Sequence, residues 1–205
     1  MACLSAEQAR ALLEAAKGDP FEALYVLALT TGMRRGELFG LKWGDLDLAG
    51  KVARVQRTVS AKRGGGYRES PPKSSKSRRS VPLSKGAVNA LRAHQARQAA
   101  QRLAIGAAWP DLGFVFTNDE GRPLDGHNFL RRSFRPLLGK AGLPPIRLHD
   151  LRHTAASLML AEGVHPKVVQ EILGHSQVGV TLDTYSHVSP GMATSAVALL
   201  DACLG

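Results

Sequence analysis

At 205 residues, 44% hydrophobic and 21% charged, the chain has the ordinary composition of a soluble globular protein, long enough to bury one sizeable core. Two cysteines, Cys3 and Cys203, exclude a disulfide framework and point to a reducing cytosol; no apolar run approaches the roughly 20 residues that cross a bilayer, and no secretory signal is visible. Lysine and arginine outnumber aspartate and glutamate 27 to 17, a formal net charge of +10, which suits a polyanionic partner such as nucleic acid.

Ser5-Ala6-Glu7-Gln8 has capping-box form, and Leu4, Leu12 and Leu13 keep helical spacing, which predicts a helix over 6–17. Gly18-Asp19-Pro20 breaks it. The apolar run 21–30 predicts a second, buried helix that includes Tyr25. Gly32 loosens the chain before Arg34, and 35–41 reads as a short helix. Between Lys51 and Lys85 the only acid is Glu69, so the positive charge is concentrated there. Val52, Val55 and Val59 alternate with basic residues and predict a strand over 51–60. Gly64-Gly65-Gly66 predicts a turn or tip. Segments 67–70 and 78–83 return as strands and complete a small three-stranded antiparallel sheet near the N-terminal third. Ser84 caps a long helix to about Leu103. Gly113–Thr117 reads as a short extended segment. Asp125 caps a helix to about Lys140, with Phe129, Phe134 and Leu137 on its inner face. A helix over 149–162 ends at Gly163, and Pro166 starts another that Gly174 ends. A short helix over 181–188 and an apolar helix over 192–204 close the chain. The fold class is α+β, mainly α-helical.

Four segments carry groups that handle phosphate: Thr31-Gly32-Met33-Arg34-Arg35-Gly36-Glu37-Leu38, His149-Asp150-Leu151-Arg152-His153, Leu173-Gly174-His175 and Thr184-Tyr185-Ser186-His187. A guanidinium stays charged and spans two phosphate oxygens, and phosphoryl transfer depends largely on positioning and charge stabilisation. Read alone, Arg34 or Arg35 is more readily a surface arginine paired with Glu37 than a functional group. His149, Arg152 and His153 fall at i, i+3 and i+4 on one helical face. Two histidines at that spacing are a zinc pattern, but Asp150 replaces the general-base glutamate and Arg152 repels a cation, so an anion fits better. Tyr185 lies among polar residues. Its phenol attacks a phosphodiester only where a neighbour takes its proton or cations stabilise the phenolate. The leaving 5′-hydroxyl needs a proton, and Lys73 and Lys76 sit in the basic stretch 72–82.

Together these segments resemble the tyrosine recombinases of the phage-integrase family. Residues 31–38 followed by Leu41-Lys42-Trp43 look like the first arginine box, and His149-Asp150-Leu151-Arg152-His153-Thr154 looks like the H-x-x-R box. Leu173-Gly174-His175 and Thr184-Tyr185-Ser186-His187-Val188 resemble the closing histidine and nucleophile boxes, and 73–82 resembles the hairpin lysine segment. The resemblance implies a site-specific DNA recombinase that cleaves and rejoins strands through a 3′-phosphotyrosyl link, with no metal, ATP or other cofactor. By matched position Tyr185 is the nucleophile, Arg34 and Arg152 bind the scissile phosphate, and His149 assists proton transfer. His175 hydrogen-bonds the phosphate, and Lys73 is the general acid with Lys76 in reserve. Glu37 and His153 support the site. Lys76, Arg78 and Arg79 contact DNA.

The resemblance also implies that residues 1–188 form a catalytic domain without the family's N-terminal DNA-clamping domain, and that 189–205 form a tail helix that packs in cis or on a neighbouring subunit. The implied partner is double-stranded DNA, bound as a homo-tetramer or, for the isolated domain, a monomer, with accessory DNA-bending proteins and no membrane. The implied setting is the nucleoid of a bacterial or phage-infected cytoplasm. The alternatives are a type IB topoisomerase-like nicking-closing enzyme, a DNA-binding module without catalysis, and, more distantly, a metallohydrolase on His149 and His153.

Overall fold

The computed structural model describes residues 3–62, 66–72, 78–174 and 201. Lys73, Lys76, His175, Tyr185, Cys203 and the two helices expected after residue 180 lie outside the described residues. Three helices open the chain: α1 (Ala6–Ala15), α2 (Glu22–Thr31) and α3 (Arg35–Phe39). Strands β1 (Leu46–Asp47), β2 (Val52–Val55), β3 (Thr58–Ala61), β4 (Tyr67–Ser70) and β5 (Arg79–Pro82) follow. Then come α4 (Lys85–Ile105), α5 (Gly126–Phe129), α6 (Arg135–Lys140), α7 (Asp150–Ala161) and α8 (Pro166–Leu173). The α+β, mainly helical class holds.

Local chemistry sets the helix ends. The Ser5 hydroxyl accepts from the Gln8 amide at 3.1 Å, and the Gln8 side chain accepts from the Ser5 amide at 3.0 Å, which completes the capping box. Ser84 caps α4 by accepting from Ala87 N at 3.1 Å. Helix α2 is the centre of the core and packs against α4 and α7. Tyr25, fully buried on α2, lies beside the rings of Phe129 and Phe134, and Phe21 and Phe39 meet Phe129 edge-on. Burial, then the charge of Asp19, push the Tyr25 phenol upward, so it stays neutral as a core residue.

Two expectations need correction. The strand foreseen over 51–60 is two strands, interrupted at Gln56-Arg57. β2 joins β1 and β5 in an antiparallel three-stranded sheet, with Val52 opposite Pro82 and Val55 opposite Arg79; β3 pairs separately with β4, Thr58 opposite Ser70. The alternation runs through the break, since Ala53, Val55 and Val59 are all buried, so periodicity gives no sign of it. What marks the break is Arg57, whose guanidinium bonds Asp45 and the Gly40 carbonyl.

The helix foreseen from Asp125 to Lys140 is also interrupted. Asp125 caps its start by accepting from Asn128 N at 2.8 Å, but Leu130–Phe134 form a π-helical segment before α6. Pro136 follows at once in the first turn of α6. A proline ring has no N–H and clashes with the carbonyl one turn back, so the widened turn accommodates it.

Candidate active site

The chain leaves α2 through Gly32, whose φ of 59° is left-handed and terminates that helix. Any side chain there would meet α8, because a Cβ on Gly32 would lie 2.4 Å from Leu173 Cδ2. This close approach holds the turn carrying Arg34 against the C-terminal end of α8. Arg34 then sits immediately before α3, its amide donating to Glu37 Oε2 at 2.8 Å and its Nη1 donating to Glu37 Oε1 at 2.9 Å. Its Nη2 reaches the Gly174 carbonyl at 3.3 Å. The side chain stays 37% exposed, so one edge of the guanidinium remains open to a ligand.

Glu37 is the buried centre of this region, with a side chain 1% exposed. Arg79 of β5 forks onto it, Nη1 to Oε1 at 3.1 Å and Nη2 to Oε2 at 2.9 Å, while its Nε donates to the Ile172 carbonyl at 2.6 Å. Burial works to raise the Glu37 carboxyl, but the Arg79 hydrogen bonds and charge, joined by Arg34, overcome it and hold the group below the usual glutamate range. Glu37 is therefore ionised, and two arginines share one carboxylate.

Arg152 comes from α7 on the other side of the Gly32 turn. It is 3% exposed, and its Nη1 donates to the Gly32 carbonyl at 2.7 Å. His149 immediately precedes α7, makes no side-chain cap there and is exposed; its ring meets that of His153 edge-on, centroids 4.9 Å apart. The i, i+4 spacing thus brings the two imidazoles together as expected. Burial, then Arg152, Arg147 and Arg34, lower the His149 imidazole, with Asp150 opposing. Burial and then His149 lower His153. Both rings are neutral near pH 7, so His149 is in the form that accepts a proton. Asp150 is engaged by Arg147 at 2.7 Å and serves the α7 start.

Arg34, Arg152 and His149 are thus gathered around one surface, at the end of α8 where residue 174 leads into His175. Arg78 is exposed on the chain entering β5. Arg79 departs from expectation. Its side chain is 7% exposed and faces Glu37 and α8, because strand alternation puts it on the same inward face as the buried Val81. That parity was present in the sequence. The left-handed Gly174, φ 68°, had a signal too, as a glycine at a helix end; a Cβ there would lie 2.9 Å from Arg79 Nη1. Among the described residues no group of three His, Cys, Asp or Glu side chains is placed to hold a metal ion. No helix among them is long and apolar enough to cross a membrane.

Comparison with known proteins agrees with this geometry. The pattern of the phage integrase family matches residues 2–192. The chain is 38% identical over 208 residues to a tyrosine recombinase XerC-like protein of Caldanaerobacter subterraneus subsp. tengcongensis, covering 96% of this chain and 53% of that protein. It is 34% identical to an integrase of Streptomyces ambofaciens, covering 96% and 52%. The chain therefore spans about half the length of these relatives. Among solved structures, the integrase of transposon Tn1549 in complex with circular intermediate DNA superposes with a TM-score of 0.80 at 26% identity, over 97% of this chain and 67% of that one. With its ordered boxes and with Arg34 and Arg152 drawn to one turn, the chain belongs to the phage integrase family.

Proposed function

We propose that this chain is the catalytic domain of a site-specific DNA recombinase that cleaves and rejoins strands through a 3′-phosphotyrosyl intermediate. The observation that carries the reading is the convergence of Arg34 and Arg152 on one turn beside a neutral His149, in a chain whose family match spans residues 2–192.

In the first step the Tyr185 phenol oxygen attacks the scissile phosphorus and its proton passes to His149. The bond from phosphorus to the 5′-oxygen breaks, and that oxygen takes a proton from the Lys73 ammonium, with Lys76 as the other candidate. Arg34 and Arg152 stabilise charge on the non-bridging oxygens, and His175 adds a hydrogen bond. A 5′-hydroxyl then attacks the phosphotyrosine and reverses each transfer. The ester conserves the bond energy, so no ATP is consumed. The domain acts on double-stranded DNA, as a homo-tetramer in the nucleoid, with Lys76 and Arg78 on the backbone and accessory DNA-bending proteins at the site. Residues 1–188 carry the chemistry, and 189–205 form a tail helix that packs in cis or on a neighbouring subunit.

The test is a pool of nicked duplexes of randomised sequence, incubated with the protein and resolved under denaturing conditions. A covalent protein–DNA adduct is expected, absent in Tyr185→Phe. An adduct that survives Tyr185→Phe overturns the nucleophile. Salt-sensitive DNA retention with no adduct on any substrate means a binding module, and relaxation of any supercoiled plasmid without a site means a topoisomerase-like enzyme.

A further inference from the structure

Arg79 closes a ring of contacts between segments that lie far apart in the chain. From β5 it forks onto Glu37 of α3 and donates to the Ile172 carbonyl in the last turn of α8. Glu37 in turn takes the amide and Nη1 of Arg34, and Arg34 Nη2 returns to the Gly174 carbonyl at the α8 terminus. β5 begins just after the segment that carries Lys73 and Lys76, and α8 ends at Leu173, two positions before His175. Three pieces of chain bearing different parts of the proposed chemistry are therefore fixed to one another through a single guanidinium.

We propose that Arg79 is a positioning residue that acts through Glu37 on Arg34, aiming the Arg34 guanidinium at the scissile phosphate and setting the end of α8 against it. This rests on the recombinase reading. The fork geometry matters because only a planar guanidinium reaches both Glu37 oxygens and a carbonyl at once; a lysine ammonium at the same place is a point charge. Gly174 suits the same arrangement: its φ of 68° is left-handed, and a Cβ there would lie 2.9 Å from Arg79 Nη1.

The charged groups against Glu37 are Arg34, from the turn before α3, and Arg79, from β5. Removing Arg79 leaves burial opposed by Arg34 alone, so the Glu37 carboxyl rises and takes up a proton as the pH falls. A protonated Glu37 no longer holds Arg34 in place.

Two measurements decide it. The first is the Glu37 carboxyl followed by carbon NMR through a pH titration of the full chain, which needs no DNA. Wild type is expected to stay ionised below the ordinary glutamate range, and Arg79→Lys and Arg79→Met to titrate at higher pH. An unchanged titration in both variants overturns the proposal. The second is single-turnover adduct formation on the nicked pool. Arg79→Met should cleave about 10- to 100-fold more slowly with DNA affinity little changed, Arg79→Lys should recover only part of the rate, and Arg79→Met should lose rate further as pH falls. That acid limb should be absent from Arg79→Met/Glu37→Gln. Weakened DNA retention with an unaltered cleavage rate makes Arg79 a backbone contact and overturns the proposal. Should Arg79→Met not fold, Arg79→Lys carries both measurements. A wild type that forms no adduct at all sinks the recombinase reading, whereas a shifted Glu37 titration in that case still supports the ring and an unshifted one refutes it.

Discussion

The chain builds two arginine–carboxylate constellations within a few residues of each other, and they are balanced differently. Asp45, after α3, bonds Arg57 and accepts the Lys42 amide at 2.9 Å; Arg57 and Lys42 both reach Glu69, Lys42 Nζ at 3.2 Å. Two acids there face two bases. Among the described residues, one acid, Glu37, faces two bases, Arg34 and Arg79, and Arg152 stands on the other side of the same turn. The first set is neutral and ties the sheet to the helices. The second keeps a surplus of positive charge in a partly enclosed place, which is stable only where an anion or open water faces it. A surplus of charge held in rigid geometry marks the candidate site; the number of ion pairs does not.

The largest expected effect comes from breaking the surplus itself. Arg152→Lys keeps the charge but loses the fork, and single-turnover adduct formation should fall about 100-fold or more. Arg57→Lys in the neutral set should leave that rate near wild type. Equal losses in both variants would mean that the two constellations do not differ in role.

Asp45→Ala attacks the neutral set. It removes the nearer of the two carboxylates that Arg57 meets and leaves Glu69 and the Gly40 carbonyl, so unfolding by urea should show a stability loss of about 1–3 kcal/mol. At a temperature where the variant is folded, cleavage should stay near wild type. A stable Asp45→Ala, or a folded one that cannot cleave, would dissolve the distinction.

Much of this was legible in the sequence, for identifiable reasons. Capping by Ser5, Ser84 and Asp125 and termination by Gly163 and Gly174 are local chemistry, so the helices were placed within a few residues. Arg34, Arg152 and His149 were legible because their boxes are short and ordered. The split of β2 from β3 was not, since Val55 and Val59 keep their parity while pairing with different partners. Nor was the π segment, where the widened turn answers to Pro136 and the packing of Phe134 together. The inward placing of Arg79 was not legible, because its partner Glu37 lies 42 positions away, and only the fold shows that the two meet.

A smaller effect is expected at the turn that holds the surplus in place. Gly32→Ala puts a Cβ 2.4 Å from Leu173 Cδ2 on a residue with φ of 59°, so the buried Leu173 side chain or the end of α8 that carries it must shift. The loss of stability should be about 1–3 kcal/mol. Gly139→Ala is the control, with nothing within 4 Å of its added Cβ. Amide exchange in α8 should quicken in the first variant and not in the second. An α8 equally protected in Gly32→Ala would show that the close approach does not position the Arg34 turn.

The smallest effect should be a slope with pH. Burial, with His149 and the nearby arginines adding to it, lowers the His153 imidazole, and burial with Arg152 lowers His149. In the unfolded chain both imidazoles titrate near the ordinary value of about 6.5. Above that pH neither state holds the extra proton and stability is complete. As the pH falls through it, the unfolded chain takes up protons that the folded chain accepts only at lower pH, so stability declines. The urea midpoint of wild type should therefore drop between pH 7.5 and 5.5, and His153→Gln should drop less. Asp45→Ala, which leaves both imidazoles among their arginines, should start lower and keep the wild-type slope. If Asp45→Ala flattens the slope and His153→Gln does not, the acid sensitivity belongs to the neutral constellation, and the positive surplus around Arg34 and Arg152 does not reach the histidines.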